Sequence, residues 1–233
     1  MSNLPVLSID QLAKDLSTAA SAEEFHAALR GALGVYDQLN ETRINETGAK
    51  LVCRAGCSLC CWLRVDVYAP EVFLIADTLR KQLPPPELAA LLKRLASHAD
   101  TVTRMTVFEH VTRNVACPLS RDGWCSIYAV RPHACRRHHS QDLAACQFTF
   151  DHPDNLEAPG AHHRDLFRDL TEGMGLHAAV YEYFGFDDTI YELGSALEEA
   201  LSDPDCWQRW SRKERAFLRA SVTPAKEDAP TDA

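Results

Sequence analysis

The sequence predicts a mostly α-helical protein wrapped around an irregular, cysteine-rich metal-binding centre. Three observations predict it. Capping signals followed by apolar residues at three- and four-residue spacing recur along the chain. Thiols crowd into "CRAGCSLCC" at 53–61 and return in "CPLSRDGWCSIYAVRPHACRRHHSQDLAAC" at 117–146. Between 117 and 139 periodicity gives way to turn signals at Pro118, Asp122-Gly123 and Pro132.

The helices can be taken in order. Ser8-Ile9-Asp10-Gln11 and Ser21-Ala22-Glu23-Glu24 both fit the capping box that opens a helix. After the second, Phe25, Ala28, Leu29, Ala32, Leu33, Tyr36 and Leu39 form one apolar face, so a helix is expected to about residue 40. Pro70 suits the first position of a helix in "APEVFLIADTLRKQL". Prolines 84 to 86 break the chain before a further helical stretch ending in "FEH". Asp142 to Phe148 reads as a short helix and "DHPDNLEAPG" as a loop. "HHRDLFRDLTEGMGLHAAVYEYFG" is a helix stopped near Gly185. Asp188 is expected to cap "TIYELGSALEEAL", and Pro204 to restart a last short helix.

This organisation divides the chain into N-terminal helices (1–48), a cysteine-cluster domain (49–150) and a C-terminal helical extension packed on it (151–220). A polar tail at 221–233 is expected to be disordered.

Composition narrows the function. With 46% hydrophobic residues among 233, the chain can bury a core without covalent staples. Its 24 basic and 33 acidic residues give −9, the opposite of a nucleic-acid footprint, so no nucleic-acid partner is expected. The longest apolar runs, such as "VFLIA", fall far short of the roughly 18 residues that span a bilayer. No basic segment leads an apolar one at the N-terminus. We therefore expect a cytoplasmic protein with no membrane partner. In a reducing compartment, clustered thiols are more often metal ligands than disulfides.

The nine cysteines are 53, 57, 60, 61, 117, 125, 135, 146 and 206. On a helix the first four would share a stripe roughly 100° wide, whereas on a strand Cys60 and Cys61 would face opposite ways. Adjacent cysteines chelate one small ion poorly, so these two suit two metals or two corners of a cluster. Cys117, Cys125, Cys135 and Cys146 are too far apart for a knuckle but suit successive loops closing on one site. Eight thiols make two four-thiolate centres, whether zinc or iron–sulfur, and soft thiolates exclude magnesium and calcium. Cys206 is left over, as a small buried hydrophobe.

Other side chains surround these thiols. Arg131, Arg136 and Arg137 offer hydrogen bonds to thiolates or sulfides, and Arg136 and Arg137 are the candidate cofactor-binding cations. Trp124 and Tyr128 are expected to pack the loops. His133, His138 and His139 are candidate ligands beside Cys135, while His162-His163 reads as a solvated pair and His152 as a loop residue. Glu109-His110 lacks the second histidine of a metalloprotease motif.

The motifs together resemble the YkgJ-type cysteine-cluster family, described as a zinc- or iron-chelating domain. Its pattern runs CxxxCxxCC, C-P-x-L, C-x-I-Y-x-x-R-P and C-R. Here these are Cys53, Cys57, Cys60 and Cys61; Cys117-Pro118-Leu119; Cys125-Ser126-Ile127-Tyr128 with Arg131-Pro132; and Cys135-Arg136. The resemblance implies a metal ion, zinc or iron and including an iron–sulfur cluster, held by Cys53, Cys57, Cys60, Cys61, Cys117, Cys125 and Cys135. It gives Cys146 weaker support. Many members carry Gly where this chain has Leu59, so the local turn is expected to differ.

The leading expectation is a cytosolic metal-binding protein. A metal- or iron–sulfur-dependent oxidoreductase or transferase, with a pocket formed by the C-terminal helices, is the alternative. A redox or metal sensor is a third.

Overall fold

The computed structural model describes residues 10–15, 21–157, 160 and 162–224. Helix α1 is Ala22–Thr47. It opens where the Ser21 hydroxyl accepts the Glu24 N–H at 3.2 Å. It runs past residue 40 and ends at Gly48, whose φ of 62° suits a residue without Cβ. The Ser8 capping box reaches back outside the described residues.

Strand β1 (Asp66–Val67) leads into α2 (Ala69–Gln82). Glu71 accepts the Tyr68 N–H at 3.1 Å and closes the start of α2. Val72, Phe73, Leu74, Ile75, Ala76 and Leu79 are all buried, so α2 is enclosed on most sides. The amphipathic α3 (Pro85–Val102) buries Leu91, Leu95 and Val102. The helical stretch that follows the prolines is broken, because Thr106 opens a separate α4 (Val107–Val111) with its own capping box to Glu109.

The cysteine-rich stretch then forms hairpin β2 (Ser120–Arg121) and β3 (Trp124–Cys125), followed by α5 (His133–Arg136). Helix α6 (Leu143–Asp151) starts on the Asp142 side chain, as its sequence predicts. Helix α7 (Arg164–Tyr183) follows, with the chain turning at Gly185 (φ 73°).

One expectation fails here. Ile190–Glu192 form strand β4 instead of the start of a helix capped by Asp188. β4 pairs antiparallel with β1 and with β5 (Val222–Thr223), and the Glu192 carboxylate caps α8 (Leu193–Ser202) through the N–H groups of Gly194 and Ser195. The β-branched and aromatic Ile190-Tyr191 pair favours the extended state where two edges are free to receive it. β5 also takes Val222 and Thr223 from the segment expected to be tail; residues 225–233 lie outside the described residues. Helix α9 is Cys206–Ser211.

One hydrophobic cluster joins all of this, from Leu12 through α1, α2 and α3 to α8 and Phe217. The protein is mostly helical, with small sheets beside an irregular cysteine region. Among the described residues no helix is long and apolar enough to cross a membrane.

Two packing details carry predictions. A Cβ on Gly173 of α7 would lie 2.3 Å from the fully buried Tyr36 ring of α1. Gly173→Ala is therefore expected to cost about 1–3 kcal/mol through overpacking, read as a lowered denaturation midpoint. Glu192 is fully buried: burial alone would raise its carboxyl, but the His98 hydrogen bond at 3.0 Å and the α8 N–H groups hold it at about 2. A depressed folded pKa means stability that is present above about pH 4.3 and lost as pH falls toward 2. Glu192→Gln should remove this acid-dependent component, of order 3 kcal/mol, in denaturant titrations across that window.

Candidate metal centre

The first thiol segment is not one helix. Arg54 and Cys57 close a turn (Cys57 N–H to Arg54 O, 3.0 Å) around Gly56, which has φ 83°. A 3₁₀ turn at Leu59–Trp62 follows and carries Cys60 and Cys61. Leu59 takes no left-handed conformation there, so the family's glycine is not needed.

The second segment is laid directly on the first. Cys117 N–H donates to Cys61 O at 2.7 Å, and Val115 N–H to Trp62 O at 3.3 Å. The β2–β3 hairpin pairs Ser120 with Cys125 and turns at Asp122 (φ 52°) and Gly123 (φ 80°). A Cβ on Gly123 would stand 3.0 Å from Gly56 O, so this tight turn lets the hairpin tip rest on the first loop. Cys135 sits on α5, its N–H bound to Pro132 O at 3.0 Å.

The thiols divide by their neighbours. Cys61, Cys117, Cys125 and Cys135 all lie near enough to influence one another electrostatically. Burial pushes Cys117 up to about 12 and Cys135 well up, and the surrounding thiols add to both. Cys61 goes the other way, down to about 7, because Cys60 hydrogen-bonds to it and Ser120 assists. Cys60, as that donor, is raised. The other group centres on Cys53, whose electrostatic neighbours include Cys57, Cys60 and Cys146. Ser140 links part of this group: its N–H donates to Cys53 Sγ at 3.2 Å, and its hydroxyl accepts from Cys146 at 3.1 Å. Cys60 lies between the two groups: it hydrogen-bonds Cys61, and Cys61, Cys135 and Cys53 all act on it.

The donor chemistry fits a soft metal. The spacing is open: among the described residues, the one trio of His, Cys, Asp or Glu donor atoms within 4.8 Å of one another is Glu199, Asp203 and Cys206, outside the cluster. That trio already holds a cation. Arg209 Nη2 lies 3.4 Å from Glu199, 3.0 Å from Asp203 and 3.2 Å from Cys206. The cluster sulfurs stand on loops, a hairpin and short helical turns, and a change of χ1 rotamer moves a sulfur without moving backbone.

The arginines are otherwise engaged. Arg136 is buried and bonds Arg131 O (2.8 Å), Ala129 O (3.2 Å) and the Asp37 carboxylate of α1. These bonds go to oxygen, so it braces the loop before α5. Arg137 lies over the Phe167 ring at 5.0 Å, and its buried Nε has no partner. Trp124 and Tyr128, expected to pack the loops, are 61% and 65% exposed, with Arg131 stacked 4.1 Å over Tyr128.

His138 abuts the second thiol group. Its carbonyl accepts from Cys53 Sγ at 3.7 Å, and its ring packs 4.7 Å from His162. Burial drives His138 down to about 3. His162-His163 is no solvated pair: His163 is buried and caps α7, and His162 stacks on Phe167. His152 is an exposed loop residue, and His110 is buried beside Arg64 at 3.3 Å. Ser120, Ser140 and Asp37 escaped the sequence reading, because isolated serines and a surface-face aspartate carry no spacing signal.

Two clefts open beside the thiols. One, of about 370 Å³, is lined by Arg54, Gly56, Cys57, Leu143 and Gln147. The other, of about 360 Å³, is lined by Arg94, His98, Thr101, Cys117 and Ser120. Neither takes a residue from the helices beyond residue 160.

Searches of curated proteins and of solved structures returned no match. Residues 52–153, somewhat under half of the chain, match the family model CxxCxxCC, "Putative zinc- or iron-chelating domain", and this segment contains all eight clustered cysteines, in agreement with the resemblance carried by their motifs.

Proposed function

We propose that this protein is a cytosolic metal-binding protein that holds zinc or iron in two four-thiolate centres. One is Cys61, Cys117, Cys125 and Cys135; the other is Cys53, Cys57, Cys60 and Cys146. The observation that carries this reading is the apposition of the two thiol segments, with the Cys117 N–H on Cys61 O and Ser140 joining Cys53 to Cys146. Within it, domain 49–150 is the chelating unit and 151–220 an extension packed against it.

When bound, a zinc ion or iron–sulfur cluster would supply thiolate-ligated charge and, for iron, electron transfer. The chain's own contribution is to bring three loops together through the Cys117–Cys61 backbone bond and the Ser140 bridge. Arg136 holds the loop carrying Cys135 against α1.

Cys57→Ser tests the second centre. It is expected to lower bound metal while leaving the core intact, read by elemental analysis and near-ultraviolet circular dichroism. Unchanged metal content would remove Cys57 from the ligand set.

An enzymatic reading draws on the cleft over Cys117, where the Glu192–His98 pair sits beside Arg94. Turnover of a small substrate that disappears in His98→Gln, with metal retained, is the result that would favour it.

A further inference from the structure

A separate group of polar side chains lies inside the helical body. Glu71 of α2, His133 of α5, and His177 and Tyr181 of α7 are at most 2% exposed. The His133 and His177 ring centres are 4.6 Å apart, and Tyr36 of α1 packs within 4.8 Å of the first and 5.6 Å of the second. Tyr181 lies one helical turn after His177, with rings 6.4 Å apart.

Several polar atoms in this group have no hydrogen-bond partner: His133 Nε2, both ring nitrogens of His177 and the Tyr181 hydroxyl. Each buried orphan costs about 1–3 kcal/mol, so a cluster of them implies an occupant. Glu71 identifies its kind. Its carboxylate lies 3.1 Å from His133 Nδ1 and accepts the His133 N–H at 2.9 Å. Nδ1 therefore carries the proton, and Nε2 points inward as a bare lone pair. A carboxylate orienting one imidazole nitrogen while the other stands free is how proteins present histidine to a metal.

We propose that His133 Nε2 and a ring nitrogen of His177 bind a borderline divalent ion, zinc or iron(II), with the Tyr181 hydroxyl as the nearby oxygen donor. This site is distinct from the thiolate centres and does not rest on them. With metal–nitrogen distances of about 2.0–2.1 Å, two imidazoles on one ion have centres roughly 4.5 Å apart at a right-angled N–metal–N and about 5.2 Å at a tetrahedral one, so the observed 4.6 Å suits the right-angled arrangement. The ionised Glu71 offsets part of the ion's charge in a dry interior.

The test loads the full-length protein anaerobically with cobalt(II), which reports thiolate ligands by charge-transfer absorption. His177→Gln and His133→Gln should each bind one equivalent fewer than wild type, with thiolate charge transfer unchanged. His138→Gln should bind as much as wild type. Equal uptake by wild type and both variants overturns the proposal and leaves these atoms to buried water. If both variants fail to fold, X-ray absorption on wild type and His138→Gln decides: imidazole scattering in both supports the site, and sulfur scattering alone in wild type overturns it.

Discussion

Cys135→Ser should release about half of the bound metal and lower the melting temperature. Cys135 is the thiol that touches every other member of its group electrostatically, and α5 fixes its backbone through Pro132. Serine keeps the shape but is a poor ligand for a soft ion. Structural zinc contributes about 10–16 kcal/mol in small peptides that have nothing else to fold around. This chain has its own core, so a smaller share is at stake. A loss of about 3 kcal/mol would lower the melting temperature by roughly 6–12 °C for a chain this size. Elemental analysis and calorimetry on the same preparation check both halves. Cys206→Ala, outside the cluster, should leave metal content unchanged.

Glu199→Ala should be the most damaging change away from the thiols. Its carboxylate is 1% exposed and accepts N–H groups from Leu218 (2.7 Å), Arg219 (2.7 Å) and Ala220 (3.0 Å), besides the Arg209 guanidinium. It pins the segment leading into β5 onto α8. Alanine leaves those three donors unpaired and takes from Arg209 one of its two carboxylates, at a cost of about 3–5 kcal/mol. The expected fall in melting temperature is roughly 6–20 °C. Metal content should not change, since Arg209 occupies the space among Glu199, Asp203 and Cys206. A variant that folds normally but loses an equivalent of metal would make this trio a metal site instead.

Much of the helical frame was legible because its signals are local. Ser21, Pro70, Asp142 and Gly185 each act on the backbone within a turn, so they mark their boundaries in sequence. β4 was not legible: three residues offer no periodicity, and their strand exists only because β1 and β5 lie on either side. The cysteine motif announced its chemistry, but which thiols meet Cys60 and Cys61 depends on loops some sixty residues away. Nothing in the sequence marks how far Trp124 on the hairpin and Tyr128 on the turn after it stand out into solvent. His177 and Tyr181 read as an ordinary i, i+4 helix face, and only the orphaned atoms around them mark that face as unusual.

The central claim is that the eight clustered thiols hold metal. Anaerobically purified protein, measured by elemental analysis together with a visible spectrum, tests it most directly. The account predicts zinc or iron in stoichiometric amount, colourless if zinc and brown with absorption near roughly 400 nm if iron–sulfur. Protein that is folded, reduced and free of both metal and cluster absorption would contradict it.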